Sequence, residues 1–252
     1  MTILSAQLST FELAIYIMAG LFLPVFIWMI VAGINVNTTF RKYNKIQAQS
    51  GVNAMQAARI LLDKNGLSNV QVHVCQGSLT DHYNPQTNTV YLSQATAYSD
   101  SIASIGVAAH EVGHAIQYAQ DYLPVKIRTA LVPVVNFTSK LSFPFILIAI
   151  LLETLAYANV LSMQVSNFFL FLAILCYMMY CLFAFITLPA ELNASKRAKQ
   201  QLRECGILTM EEVKTTSKVL TAAAMTYVSS FVLSLVQLSR LLVVLMSRRN
   251  ND

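Results

Sequence analysis

The chain has 252 residues, 56% of them hydrophobic and only 12% charged, with a mean hydropathy of +0.54. A soluble domain carries about 25% charged residues, so this composition excludes an ordinary soluble globule and points to a membrane protein. The net charge of +5 does not call for nucleic acid, because the lysines and arginines flank apolar runs instead of forming one patch.

The first apolar run, Leu13 to Ile34, meets the roughly 20 residues that a hydrocarbon core requires. Nothing basic precedes it, Glu12 abuts it and it exceeds the length of a signal h-region, so it is expected to stay attached as an anchor. A polar region of some hundred residues follows. In "SGVNAMQAARILLDKNGLSNVQVHV", Asn53 and Gln56 form a capping box, Ala57, Ile60 and Leu61 have helical spacing, and Gly66 is a C-terminal cap. Val70 to Val74 alternates as a strand does. "SLTDHYNPQTNTVYLS" predicts a hairpin that turns at Asn84-Pro85 and returns along Thr89 to Leu92. A helix from about Ser101 to Tyr118, capped by Ser99 or Asp100, then carries "VAAHEVGHAIQ".

Three further apolar runs complete the chain: Leu141 to Leu161, Phe168 to Leu188, and Leu220 to Met246, the last interrupted by Arg240. Arg41, Lys42 and Lys45 follow the first run. Lys126, Arg128 and Lys140 precede the second, and Lys196, Arg197, Lys199 and Arg203 follow the third, whereas Ala158 to Asn167 has no charge. The positive-inside rule therefore puts the polar region in the cytoplasm and the N-terminus outside. Arg248 and Arg249 oppose this if the last run crosses fully, so four spans are kept and the last is allowed to tilt or to be partly re-entrant. The predicted fold class is a mainly α membrane protein, with about four transmembrane helices and a small α+β cytoplasmic domain. Its segments are an anchor (1–36), the cytoplasmic domain with the histidine helix (37–140), a transmembrane hairpin (141–190), a cytoplasmic segment with a third metal ligand (191–218), and a last helix with its tail (219–252). Cys75, Cys176, Cys181 and Cys205 form no C-x-x-C pair and read as free thiols.

His110 and His114 are two of only four histidines. At i and i+4 on a helix they share a face and can present two imidazole nitrogens to one ion. Glu111 sits beside them, within reach of a metal-bound water, in the role of general base. Shuffling this composition would yield H-E-x-x-H in roughly one sequence in a thousand, so a pair of ordinary core histidines is the weaker reading. Position 117 is Gln where the metzincin extension needs Gly, and position 120 is Gln where it needs His, which excludes that class. A third ligand must come from elsewhere, and Glu191 in "TLPAELNASKRA" is the choice. Two spans separate it from His114, and an even number returns the chain to the same side. Pro189 fits the first turn of a new helix or a kink there. Glu153 lies too deep in a span and is expected to be neutral or paired in the bundle. His73 reads as structural, and Asp81 as a turn cap. His82 reads either as a turn histidine or as a group pointing over the metal.

"DHYNP", "GVAAHEVGHAIQ", "TALVPVVNF" and "LPAELNASKRA" together resemble the YugP-like neutral zinc metallopeptidase family of multi-pass membrane proteins. The chain is more distantly similar to the HtpX and CAAX prenyl protease group. The resemblance runs from "FRKYNKI" to the last span. It implies a gluzincin-type protease with a Zn2+ cofactor, His110, His114 and Glu191 as ligands and Glu111 as base. Asn193 and Ser195 depart from it, since they stand where the related patterns have an aspartate, a residue type that orients ligating histidines.

The expected reaction is zinc-assisted peptide hydrolysis at the cytoplasmic membrane surface. His82 or Tyr83 would steady the oxyanion, and strand Thr89 to Ser93 would offer an edge to an extended substrate. The expected partners are a peptide or membrane-protein substrate and the lipid bilayer, with no nucleic acid; a homo-oligomer or a partner membrane protein stays open. Two other readings also stay open: a scaffold or transporter with a structural zinc closed by a fourth ligand such as His82 or Asp81, and a metal hydrolase of a non-peptide substrate.

Overall fold

The computed structural model describes residues 10–158, 160 and 162–250. In chain order the elements are helices α1 (Thr10–Tyr43) and α2 (Ala54–Lys64), strands β1 (Gln71–Cys75), β2 (His82–Asn84) and β3 (Thr89–Ser93), and helices α3 (Gln94–Ala97), α4 (Ile102–Ala119), α5 (Leu123–Tyr157), α6 (Met163–Glu204) and α7 (Met210–Asn250). Helices α1, α5, α6 and α7 each contain a stretch long and apolar enough to cross a membrane. All four are longer than the apolar runs alone predict. Helix α6 continues through Pro189 with no new start, since apolar helices of this kind tolerate an internal proline. Helix α7 continues through Arg240, whose guanidinium lies over the Phe22 ring at 5.1 Å and finds a cation–π partner there.

Contacts divide the chain into two units. One takes the described residues of 1–29, 130–185 and 229–252; the other is formed by 30–129 and 186–228. In the first, Ala149, Leu170, Ile174 and Leu241 form a small apolar core. In the second, Leu61, Leu62, Val90, Leu92, Ile102, Ile105, Val112 and Leu202 are almost completely buried. Each buried aliphatic side chain stabilises this unit by about 1.5–3 kcal/mol.

Local chemistry sets the elements of this second unit. The Asn53–Gln56 capping box starts α2 as predicted, and Gly66 takes a φ of +72° just past its end. The cap of α4 is Ser101, just past the two expected residues, Ser99 and Asp100; its hydroxyl accepts the Ser104 N–H. Asn84 Oδ1 accepts the N–H groups of Gln86 and Thr87 and closes the hairpin turn. The sheet order is β1-β3-β2, with β1 parallel and β2 antiparallel to β3. This corrects one expectation: β3 is the central strand, because the β1-to-β3 connection places β1 along the side that was to receive substrate. The short strand β2 is an edge instead.

Helices α4 and α6 meet closely. A Cβ added at Gly113 would lie 2.7 Å from the carbonyl oxygen of Ala194. Only glycine allows this backbone approach, and it lies between the two histidines and one turn from Glu191.

Candidate metal centre

Helix α4 presents His110 and His114 on one face, with ring centroids 4.8 Å apart and planes nearly perpendicular. Helix α6 brings Glu191, 2% exposed, against them. Its Oε2 lies 3.2 Å from His110 Nε2 and 3.5 Å from His114 Nε2. All three ligand atoms lie within 4.8 Å of one another, the one such group among the described residues. A tetrahedral zinc bound at about 2.0–2.1 Å separates its ligands by about 3.3–3.4 Å. The two distances from Glu191 Oε2 bracket that spacing, and two imidazoles with one carboxylate suit the ion in chemistry. The other carboxylate oxygen, Oε1, accepts a 2.8 Å bond from Arg128 Nη1, which leaves Oε2 alone facing the imidazoles.

Both histidines are held from behind. His110 Nδ1 lies 3.1 Å from the Ser195 hydroxyl, and His114 Nδ1 lies 2.9 Å from Gln117 Oε1. Gln117 is fully buried. Its Nε2 donates to the Ala190 carbonyl at 2.8 Å and to Asn193 Oδ1 at 3.0 Å. Asn193 and Ser195, the two positions that depart from the acidic patterns, are thus both used behind the imidazoles. Such partners fix ring orientation and tautomer.

Glu111 is 8% exposed and borders the same cavity as His110 and Glu191. Its Oε2 accepts the Tyr83 N–H at 3.0 Å. Burial pushes its carboxyl up to about 7; His110 opposes the rise, whereas the negative charges of Glu191 and Asp81 add to it. The cavity measures about 190 Å³. Beyond the polar cluster it is walled by Val36, Phe40, Val107 and the α7 residues Val219, Leu220, Ala223 and Ala224, with Tyr227 beside the cluster.

The remaining predicted residues lie elsewhere. The pleat turns His82 to the same face as His73 and Tyr91, while Val90 and Leu92 are buried on the other. Its ring stacks on Tyr91 with centroids 4.9 Å apart, and its Nδ1–H donates to the Thr80 carbonyl at 2.8 Å. The structure therefore does not bring His82 to the cluster. Asp81 borders the cavity, but its carboxylate accepts the Ser93 N–H at 2.7 Å and the Ser93 and Thr96 hydroxyls at 3.2 Å each. Glu153 belongs to the other unit. Sequence reasoning missed Gln117, Arg128 and Tyr227. The first has a usable signal, since it lies three residues after His114 and so on the same helix face. Arg128 carries only the signal of a span-flanking charge, and Tyr227, more than a hundred residues past the histidines, carries none.

The described residues thus combine helices long and apolar enough to cross a membrane with a His–His–Glu group, half-buried at His110 and buried at His114 and Glu191, that could hold a metal ion. The family described as "Putative neutral zinc metallopeptidase" matches residues 17–246, and the chain belongs to it. It is 38% identical over 221 residues, 88% of this chain and 93% of the other, to the Bacillus subtilis (strain 168) protein named "Putative membrane protease YugP". No solved structure matches it.

Proposed function

We propose that this chain is a zinc-dependent endopeptidase of the membrane, with a zincin-like cytoplasmic unit that hydrolyses peptide bonds at the membrane surface. A zinc ion held by His110, His114 and Glu191 would polarise the scissile carbonyl and acidify a water. Glu111 takes the proton of the attacking water and delivers it to the leaving amine. Arg128 keeps Glu191 from offering both oxygens. Tyr227, whose hydroxyl hydrogen-bonds the Glu191 carboxylate, would turn that hydrogen to the developing oxyanion in place of His82, whose ring stacks on Tyr91. The aliphatic wall of the cavity takes an apolar side chain next to the scissile bond. Basic residues flanking the spans support the cytoplasmic side.

The observation that carries this reading is the convergence of three ligand atoms within 4.8 Å beside a glutamate on a shared cavity. Asp81 and His82, the residues that would close a structural zinc site, are bonded elsewhere. The test compares wild type and Glu111→Gln for zinc content and for cleavage of casein and of a membrane protein. A variant that keeps zinc and loses cleavage by about 100-fold or more is the expected result. Equal cleavage by both refutes the role of Glu111, and cleavage by neither favours the scaffold.

A further inference from the structure

We propose that Arg197, acting through Asn193 and Gln117, holds His114 in its Nδ1–H tautomer, which makes Gln117 and Asn193 positioning residues for the second imidazole of the centre. The inference rests on the metal reading above and adds a device to it. A guanidinium can only donate hydrogen bonds. That of Arg197 donates from Nε to Asn193 at 2.7 Å and from Nη1 to Gln120 Oε1 at 2.6 Å, and it lies over the Tyr122 ring. The Asn193 atom that meets Arg197 must therefore be its oxygen. The same oxygen lies 3.0 Å from the Gln117 amide, so Gln117 must present its NH2 group there.

The Ala190 carbonyl, 2.8 Å from that same nitrogen, makes the same demand independently. With Nε2 committed, the Gln117 atom facing His114 is Oε1, an acceptor only. Nδ1 of His114 must then carry a hydrogen, and in the neutral ring the lone pair falls on Nε2, the nitrogen nearest Glu191. Burial enforces the assignment: Gln117 has no exposed surface, so a reversed amide would set two pairs of like groups face to face without water to relieve them. His110 differs, because the Ser195 hydroxyl can donate or accept and tolerates either tautomer. One permanent charge thus sets the polarity of Asn193, and Asn193 together with the Ala190 carbonyl sets that of Gln117, so position 193 needs an acceptor but no negative charge.

The experiment uses the full chain in detergent with two readouts: the zinc dissociation constant by competition with a chromogenic chelator, and the ring-nitrogen NMR shifts of its four 15N-labelled histidines in the zinc-free state. Gln117→Met and Asn193→Leu are expected to weaken zinc about 10–100-fold and to shift His114 from the Nδ1–H form toward a mixture. Asn193→Asp, which keeps an acceptor for both donors, is expected to bind zinc within about threefold of wild type; this comparison stands even if Gln117→Met fails to fold. Wild-type affinity and an unchanged His114 tautomer in Asn193→Leu would overturn the inference, as would equal losses in Asn193→Asp and Asn193→Leu. A wild type that takes up no zinc refutes the metal reading itself.

Discussion

Gly113→Ala tests the helix crossing on which the centre depends. The new Cβ would lie 2.7 Å from the Ala194 carbonyl oxygen and 3.3 Å from its carbonyl carbon and Cα. A relaxed carbon–oxygen contact needs about 3.3 Å, so α4 and α6 must separate by roughly 0.6 Å, and a backbone carbonyl inside a helix cannot rotate away. Metal bonds tolerate only about ±0.2 Å, and Glu191 sits one turn before Ala194. We expect zinc affinity to fall at least about tenfold, or about 1.4 kcal/mol. Helix propensity acts the other way, favouring alanine by about 1 kcal/mol, while overpacking costs about 1–3 kcal/mol. Zinc affinity therefore discriminates better than stability. The assay is chelator competition in micelles, with Gly33→Ala as control, since nothing lies within 4 Å of a Cβ there. Wild-type affinity in Gly113→Ala would refute the close-approach reasoning.

Four further outcomes are expected. Arg128→Met releases Glu191 Oε1 and should weaken zinc roughly tenfold, as read by the same competition; unchanged affinity removes Arg128 from the site. Tyr227→Phe should lower turnover about 100-fold with zinc retained, and His82→Ala should change it by about twofold at most; the opposite ranking in peptide-cleavage kinetics would restore His82. Ala224→Phe fills the cavity and should abolish cleavage next to large apolar residues while sparing glycine and alanine, so an unchanged preference across a peptide set argues against that pocket. In zinc-free protein Glu111 titrates near 7 instead of an ordinary 4.5. Because the folded pKa is raised, its contribution is complete below pH 4.5 and is lost as pH rises through 7, a loss of roughly 3 kcal/mol. Unfolding of chelator-treated protein at pH 5 and pH 8 should show that loss in wild type and not in Glu111→Gln; equal pH dependence would count against the buried charge.

Much of the site was legible because its signals are local. The i, i+4 spacing of His110 and His114 fixes a shared helix face whatever surrounds it, and the parity of the spans kept Glu191 available. The capping box of α2 and the turn at Asn84-Pro85 were likewise readable from side chains that bond their own neighbours. His82 lies beside Tyr91 on the exposed face, which the sequence leaves open because the pleat decides which way a strand residue points, and one residue of register reverses it. The expected edge failed for a related reason: strand order depends on where β1 docks, which alternation within β3 cannot reveal.

The sequence alone determined that this chain carries helices long and apolar enough for a membrane, a two-histidine helix and a candidate third ligand, since composition and periodicity are properties of neighbouring residues. Tertiary structure alone decided that α4 and α6 approach closely enough at Gly113 to join Glu191 to both imidazoles. It also decided which of the surrounding arginines, amides and hydroxyls hold them. Those choices depend on distances between residues some 80 positions apart, and only packing sets such distances.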